Sequence, residues 1–192
     1  MAITSPKKDR IVVSDLGLIV PNYSDIVLTP IVFKPADPVA NPTVNTVNGL
    51  YEFGPGVDTA VAFVFKLPHS WHEGSVITPN VRWRKKSTAA GNVTWKFGYE
   101  IKDELGVYTD TLAYCGYCAS SPDTALIHQS TDLGEIDMTG LHISCVAVAK
   151  LTRIASPGHG DTCSSTVQML QCGVRIMVDT LGSDGATSKT AV

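Results

Sequence analysis

A chain of 192 residues, 44% hydrophobic and 17% charged, has the composition of a folded globular protein rather than a disordered one. It fits a single domain and is long enough to bury a core without disulfide staples. A formal net charge of −3 argues against a nucleic-acid partner, and the one short basic run, Arg82, Arg84, Lys85 and Lys86, reads as a solvated strand end.

The opening stretch, MAITSPKKDRIVVSDLGLIV, lacks the apolar run and cleavage pattern of a signal peptide. Nothing in the chain reaches the ~18 apolar residues that span a bilayer. The protein is therefore expected to fold in the cytosol, with reduced thiols and no membrane partner. Residues 1–10 are expected to form an arm, 11–182 one domain, and 183–192 a flexible tail.

Through the first quarter, Pro21, Pro30, Pro35, Pro38 and Pro42 allow only short edge strands, expected over 11–20, 26–33 and 48–53. TAVAFVFKL, 59–67, is apolar on both faces until Lys66 and predicts a central strand covered by a second sheet. LPHSWHEGS, 67–75, follows, punctuated by Pro68 and Gly74. His69 and His72 are three apart and point to opposite sides of an extended chain, and Glu73 completes no HExxH pattern. The cluster is expected to shape a loop, with Trp71 capping the end of the fold and its indole N–H bonded to a loop carbonyl.

A strand is expected over 76–85. GNVTWKFGYEIK, 91–102, then alternates cleanly: Val93, Trp95, Phe97, Tyr99 and Ile101 share one face, polar residues the other. Weaker strands are expected over 107–114 and 124–129. Cys115 and Cys118, in AYCGYCASS, form a lone CxxC with no second pair at zinc spacing and no helix pattern after it. With five cysteines in all, the thiols are expected to be small buried or turn-facing groups. Glu135 and Asp137 share a face if extended, which would suit acid–base work or calcium, but such a pair, bracketed by Gly134 and Gly140, is expected to lie on the wet side of a strand or to form its turn. LHISCVAVAKLTRI, 141–154, and TVQMLQCGVRIMV, 166–178, are strand-like, separated by the loop ASPGHGDT.

No segment has helical periodicity. About ten short strands with Gly/Pro turns predict an all-β antiparallel sandwich, most simply a jelly roll. No GxSxG, GxxxxGK[ST] or GxGxxG pattern is present, so no catalytic residue, metal site or cofactor is expected.

SDLGLIVP, LPHSWHEGSVITPNVRW, AGNVTWKFGYEI, DLGEIDMTGLHIS and MVDTLGS occur in an order and spacing that resembles small virion structural proteins of tailed bacteriophages and prophages, across roughly residues 12–183. The resemblance implies a non-enzymatic, homo-oligomeric protein, a trimer or hexamer, that binds capsid or tail proteins in the virion as head decoration (cement) or as part of the tail-fibre apparatus. The chain departs from it at Asn80 and Arg82, where the family often carries histidine. The alternative expectation is a carbohydrate-binding module that stacks host-surface glycan on Trp71, Tyr114 and Tyr117. A hydrolase built on Glu135 and Asp137 is the third.

Overall fold

The computed structural model describes residues 22–31, 39–155 and 158–178. The N-terminal arm, the strand expected at 11–20 and the tail beyond residue 182 lie outside the described residues. Among those described there is no helix. Eleven strands run in chain order: β1 (Asn22–Leu28), β2 (Pro30–Ile31), β3 (Thr43–Val44), β4 (Tyr51–Phe53), β5 (Thr59–Lys66), β6 (Ile77–Lys85), β7 (Gly91–Lys102), β8 (Ala113–Ser121), β9 (Gln129–Asp132), β10 (Val146–Arg153) and β11 (Val167–Val178).

They form two antiparallel sheets packed face to face, a β-sandwich. The first sheet has the order β3-β4-β11-β6-β9, with β1 also on β11; the second has the order β2-β5-β10-β7-β8. The alternating set of β7 lands where period two requires, with Val93, Trp95 and Phe97 buried. Opposite them stand Phe53, Val81, Trp83, Val174 and Ile176 of the first sheet. β5 is buried on both faces over Thr59–Phe63, as a central strand should be.

Several boundaries differ from expectation. Residues 107–112 belong to the loop into β8, and the strand expected at 124–129 is instead β9, starting at Gln129. Residues 141–145 turn before β10 begins. Within β11, pairing with β6 slips between Met169 and Gln171. Leu170 is the extra residue of this bulge, so the inward set changes from Val167 and Met169 to Cys172, Val174 and Ile176.

The basic run is not a uniform solvated end. Arg82 and Arg84 face outward, toward Asp25 and Gln168. Lys85 takes the inward register after Val81 and Trp83, is buried, and donates its ammonium to the Ala89 carbonyl. The alternation that placed Trp83 inside also placed Lys85 inside, and a local carbonyl satisfies it.

Outside the core, two carboxylates tie loops to the sheets. Glu52 accepts from Asn45 Nδ2 (2.7 Å), Gln168 Nε2 (2.9 Å) and Lys86 Nζ (3.0 Å). Glu100 accepts from the backbone N–H and hydroxyl of Thr109 at 2.7 and 3.0 Å, folding loop 103–112 onto the outer face of the second sheet. Both titrate below their ordinary 4.5, Glu52 chiefly through the Asn45 amide and Glu100 chiefly through the Thr109 N–H. A lowered folded-state pKa gives stability that is complete above the unfolded value and is lost as pH falls through the folded one. Urea midpoints are therefore expected to fall below about pH 4.5, and to fall less steeply in the Glu52→Gln/Glu100→Gln variant.

Candidate functional site

The LPHSWHEGS stretch is a turn strapped across the end of the sandwich. The Trp71 N–H donates to the Pro68 carbonyl (3.0 Å), the His72 N–H to Met177 O at the end of β11 (2.8 Å), and the Ser75 hydroxyl to His72 O (2.6 Å). Its side chains reach the loop before β10. His69 Nε2 meets Ser144 Oγ at 2.9 Å, and His142 Nδ1 meets a Glu73 carboxylate oxygen. The cluster shapes and joins two loops. Ser144 has φ +69°, a left-handed backbone, and its contact with His69 has the length of a serine–histidine catalytic pair. It is an inter-loop contact at the surface, however, and lines neither the hollow between Ile31, Val44 and Tyr51 nor the groove beside Tyr114. Among the described residues, no group of three or more His, Cys, Asp or Glu side chains is placed to hold a metal ion.

Trp71 is fully buried, so it caps the sandwich and offers no ring face to a ligand. The carbonyl expected for its indole N–H is missing: Nε1 has no hydrogen-bond partner. Tyr114 and Tyr117 are 51% and 58% exposed, but they do not act as one platform. The β7–β8 register is unbroken, so residues three apart on β8 face opposite ways. Tyr117 stands opposite Trp95, on the inward-facing set at the open rim; Tyr114 stands opposite Gly98, on the outer face.

Tyr114 and Tyr117 both line an open groove of about 440 Å³ that runs along β8, together with Thr94, Lys96, Cys118 and His159. Its geometry starts from Gly98. A Cβ at that position would lie 2.8 Å from the Tyr114 ring and 2.9 Å from Leu112, so the Cδ1–Cε1 edge of the ring lies against the glycine. A glycine inside a strand leaves backbone bare, and an aromatic ring from the neighbouring strand covers it. Lys96 Nζ sits 3.7 Å from the Tyr114 ring centroid, a cation–π contact. The wall beyond is set by the loop after β10: Thr94 Oγ1 donates to His159 O (3.1 Å), and Asp161 accepts from the Thr94 N–H (3.1 Å). Lys96, Gly98 and His159 were not singled out by the sequence. Gly98, in the middle of an otherwise alternating strand, was the available signal.

All five cysteines are free. Cys115 and Cys118 lie on β8 rather than in a turn, opposite Phe97 and Thr94 in register, and so on opposite faces. Burial pushes the Cys115 thiol up to about 11 and that of Cys145 to about 12, and raises that of fully buried Cys172 as well. Cys118 is the exposed one. In the native protein at neutral pH, a thiol reagent is expected to label Cys118 in a fast phase that Cys118→Ser removes, the remaining thiols reacting on denaturation. Several fast phases in the Cys118→Ser variant would contradict this placement.

Glu135 and Asp137 are both exposed, flanking Ile136, which bridges to Ile77. Asp137 Oδ1 accepts from the hydroxyl and N–H of Thr139 at 2.7 and 2.9 Å, which also holds its carboxyl below the usual range. This is a turn anchor.

No protein-family model matches the chain, and no curated protein matches it. Among solved structures, an arabinose-bound MgGH51 α-L-arabinofuranosidase is similar at 14% identity and a TM-score of 0.37. The match covers 81% of this chain and 24% of the enzyme, so this chain corresponds to about a quarter of that protein's length. A likeness at that score carries no argument about function.

Proposed function

We propose that this chain is a non-enzymatic structural protein of a tailed-bacteriophage virion, an oligomeric jelly-roll subunit on the head or in the tail-fibre apparatus. The observation that carries the oligomeric part is strand β8. Strands that end a sheet present unpaired N–H and C=O groups, and stable monomers guard them with short length, charge or proline. β2 and β3 are two residues long, β9 is four and carries Asp132, and β1 carries Asp25 in ion pairs with Arg82 and Arg175. β8 is nine residues, AYCGYCASS, without a charge or a proline, and among the described residues pairs only with β7. Such an edge suits a neighbouring subunit.

The strand order supports the jelly-roll part. Counted from β4 to β11, the eight strands fall in the orders first-eighth-third-sixth and second-seventh-fourth-fifth, as in a double Greek key. That architecture serves viral capsid and lectin domains alike, an analogy of fold rather than evidence of role.

The test is proteomic and hydrodynamic. The chain is expected in purified particles of the phage that encodes it, in copy numbers that distinguish head decoration (many) from a tail role (few). It is also expected to be an oligomer by light scattering, which Tyr117→Lys/Ser120→Pro on β8 reduces toward monomer while the far-ultraviolet spectrum stays unchanged. Absence from the particle would defeat the proposal, and a monomeric wild-type protein would remove its oligomeric basis.

A second reading has one specific observation in its favour. Tyr114 presents an exposed ring in a groove, which suits a glycan-binding role with Trp71 excluded by burial.

A further inference from the structure

The charge around Tyr114 says more about what the groove takes. On the outer face of the second sheet, Gly98 lies between Lys150 of β10 and Tyr114 of β8 in register, and Lys96 precedes it by two on the same face. The Tyr114 ring thus has a lysine on its own groove wall and a second one across the glycine. Neither Lys96 nor Lys150 has a carboxylate within ion-pair distance among the described residues. The acids nearest in the fold are already committed. Glu100, on the same face, is held by Thr109 and lies 3.6 Å from Lys102, and Asp161 is forked to Arg153. Two cations left uncompensated on one face, in a chain with a net charge of −3, favour an anionic partner.

The ring is also fixed before any ligand arrives. Gly98 against its Cδ1–Cε1 edge and Lys96 over one face restrict its rotamers, so stacking on the opposite face costs little side-chain entropy. Thr94 Oγ1, whose proton is given to His159 O, keeps lone pairs free for a hydroxyl donor, and His159 lines the same groove.

We propose that this groove binds an acidic saccharide, a uronate-type sugar ring stacked on Tyr114 with its carboxylate drawn to Lys96 and Lys150. The inference rests on the glycan-binding reading and narrows it to one chemical class. It does not depend on the virion role, because titration reads sugar binding and particle proteomics reads assembly.

The test is calorimetric titration of the full chain with three probes: a galacturonate oligosaccharide, the neutral galactose oligosaccharide of equal length, and inorganic sulfate. The expected result is binding of the uronate alone, weakened by salt. Lys96→Gln or Lys150→Gln is expected to lower affinity about tenfold, the loss of one charge-assisted contact. Tyr114→Ala should abolish binding; Tyr114→Phe should retain it. Gly98→Ala, which displaces the ring without touching a ligand-binding group, is expected to weaken it with little change in melting temperature. Equal binding of the neutral sugar would overturn the acidic assignment and leave the glycan reading standing. Sulfate binding as tight as uronate binding would reduce the site to an anion patch. No binding of either sugar would remove both, and uronate binding indifferent to Tyr114→Ala would place it elsewhere.

Discussion

Arg153→Met is expected to destabilise the protein by about 3–5 kcal/mol, the usual cost of stranding one partner of a buried ion pair. Arg153 ends β10 on the inward register and is fully buried; Asp161, its partner, is 3% exposed. Every guanidinium N–H is used. Nε and Nη2 fork onto the two Asp161 oxygens at 2.9 and 3.0 Å, Nη1 reaches Phe53 O (3.0 Å) and Ser165 O (2.8 Å), and Nη2 also reaches Cys163 O (2.6 Å). Asp161 in turn accepts from the N–H groups of Thr94 and Cys163. One side chain thus joins β10 and β7 of the second sheet to β4 of the first and holds the loop that carries His159. Removing it leaves the buried Asp161 carboxylate without its counter-charge and takes a donor from three carbonyls.

Urea midpoints should drop at unchanged m-value, and the melting temperature should fall by roughly 10 °C for a domain of this size. Arg153→Lys is expected to fall between, because an ammonium keeps the charge but cannot span the fork. The loss should persist at high salt, since the pair is shielded from solvent. A change under about 1 kcal/mol in Arg153→Met would mean that the network is not what joins the sheets at this end.

Trp95→Ala is the second large effect, again about 3–5 kcal/mol, here from a cavity in the centre of the core. Trp95 of the second sheet meets Phe53 of the first edge-on, with centroids 5.2 Å apart and planes at 78°, and Trp83 at 6.2 Å and 60°. The two indoles are not equivalent. Trp83 Nε1 donates to Thr131 Oγ1 at 2.9 Å, tying β6 to β9, whereas Trp95 Nε1 is buried without a partner. Trp95→Phe removes an unsatisfied donor along with some packing, and Trp83→Phe removes a satisfied one and strands the Thr131 hydroxyl. Trp83→Phe is therefore expected to cost more, by about 1 kcal/mol. Equal denaturation midpoints for the two phenylalanine variants would show that packing alone sets the difference.

The sandwich was legible because its evidence is local. In GNVTWKFGYEIK the identity of each residue depends on which face its own strand turns inward, and period two survives without knowledge of the partner. TAVAFVFK was legible for the same reason: a strand buried on both faces needs no neighbour to be named before it reads as central. Boundaries near loops were less so. LHISC carries strand-like residues, yet Ser144 turns into the left-handed region because His69 and Glu73, some seventy positions away, hold its loop.

The candidate site was the least legible part. Trp71, Tyr114 and Tyr117 read as candidate stacking rings, but exposure is a property of packing: Trp71 is buried, and Tyr114 and Tyr117 face opposite ways along the groove they share. The residues that give the groove its character, Lys96, Lys150, Gly98 and His159, come from three strands and a loop.

The sequence by itself determined the sheet-forming alternation, the absence of helical periodicity and the loop character of the HSWHE cluster. Each follows from the chemistry of near neighbours along the chain. Only the tertiary structure decided that Lys85 and Arg153 are interior, that the bulge at Leu170 reverses the parity of β11, and that β8 ends its sheet among the described residues. Those outcomes depend on which distant backbone fills each hydrogen bond and which carbonyls wait at the end of a side chain, and a periodicity of two contains no record of either.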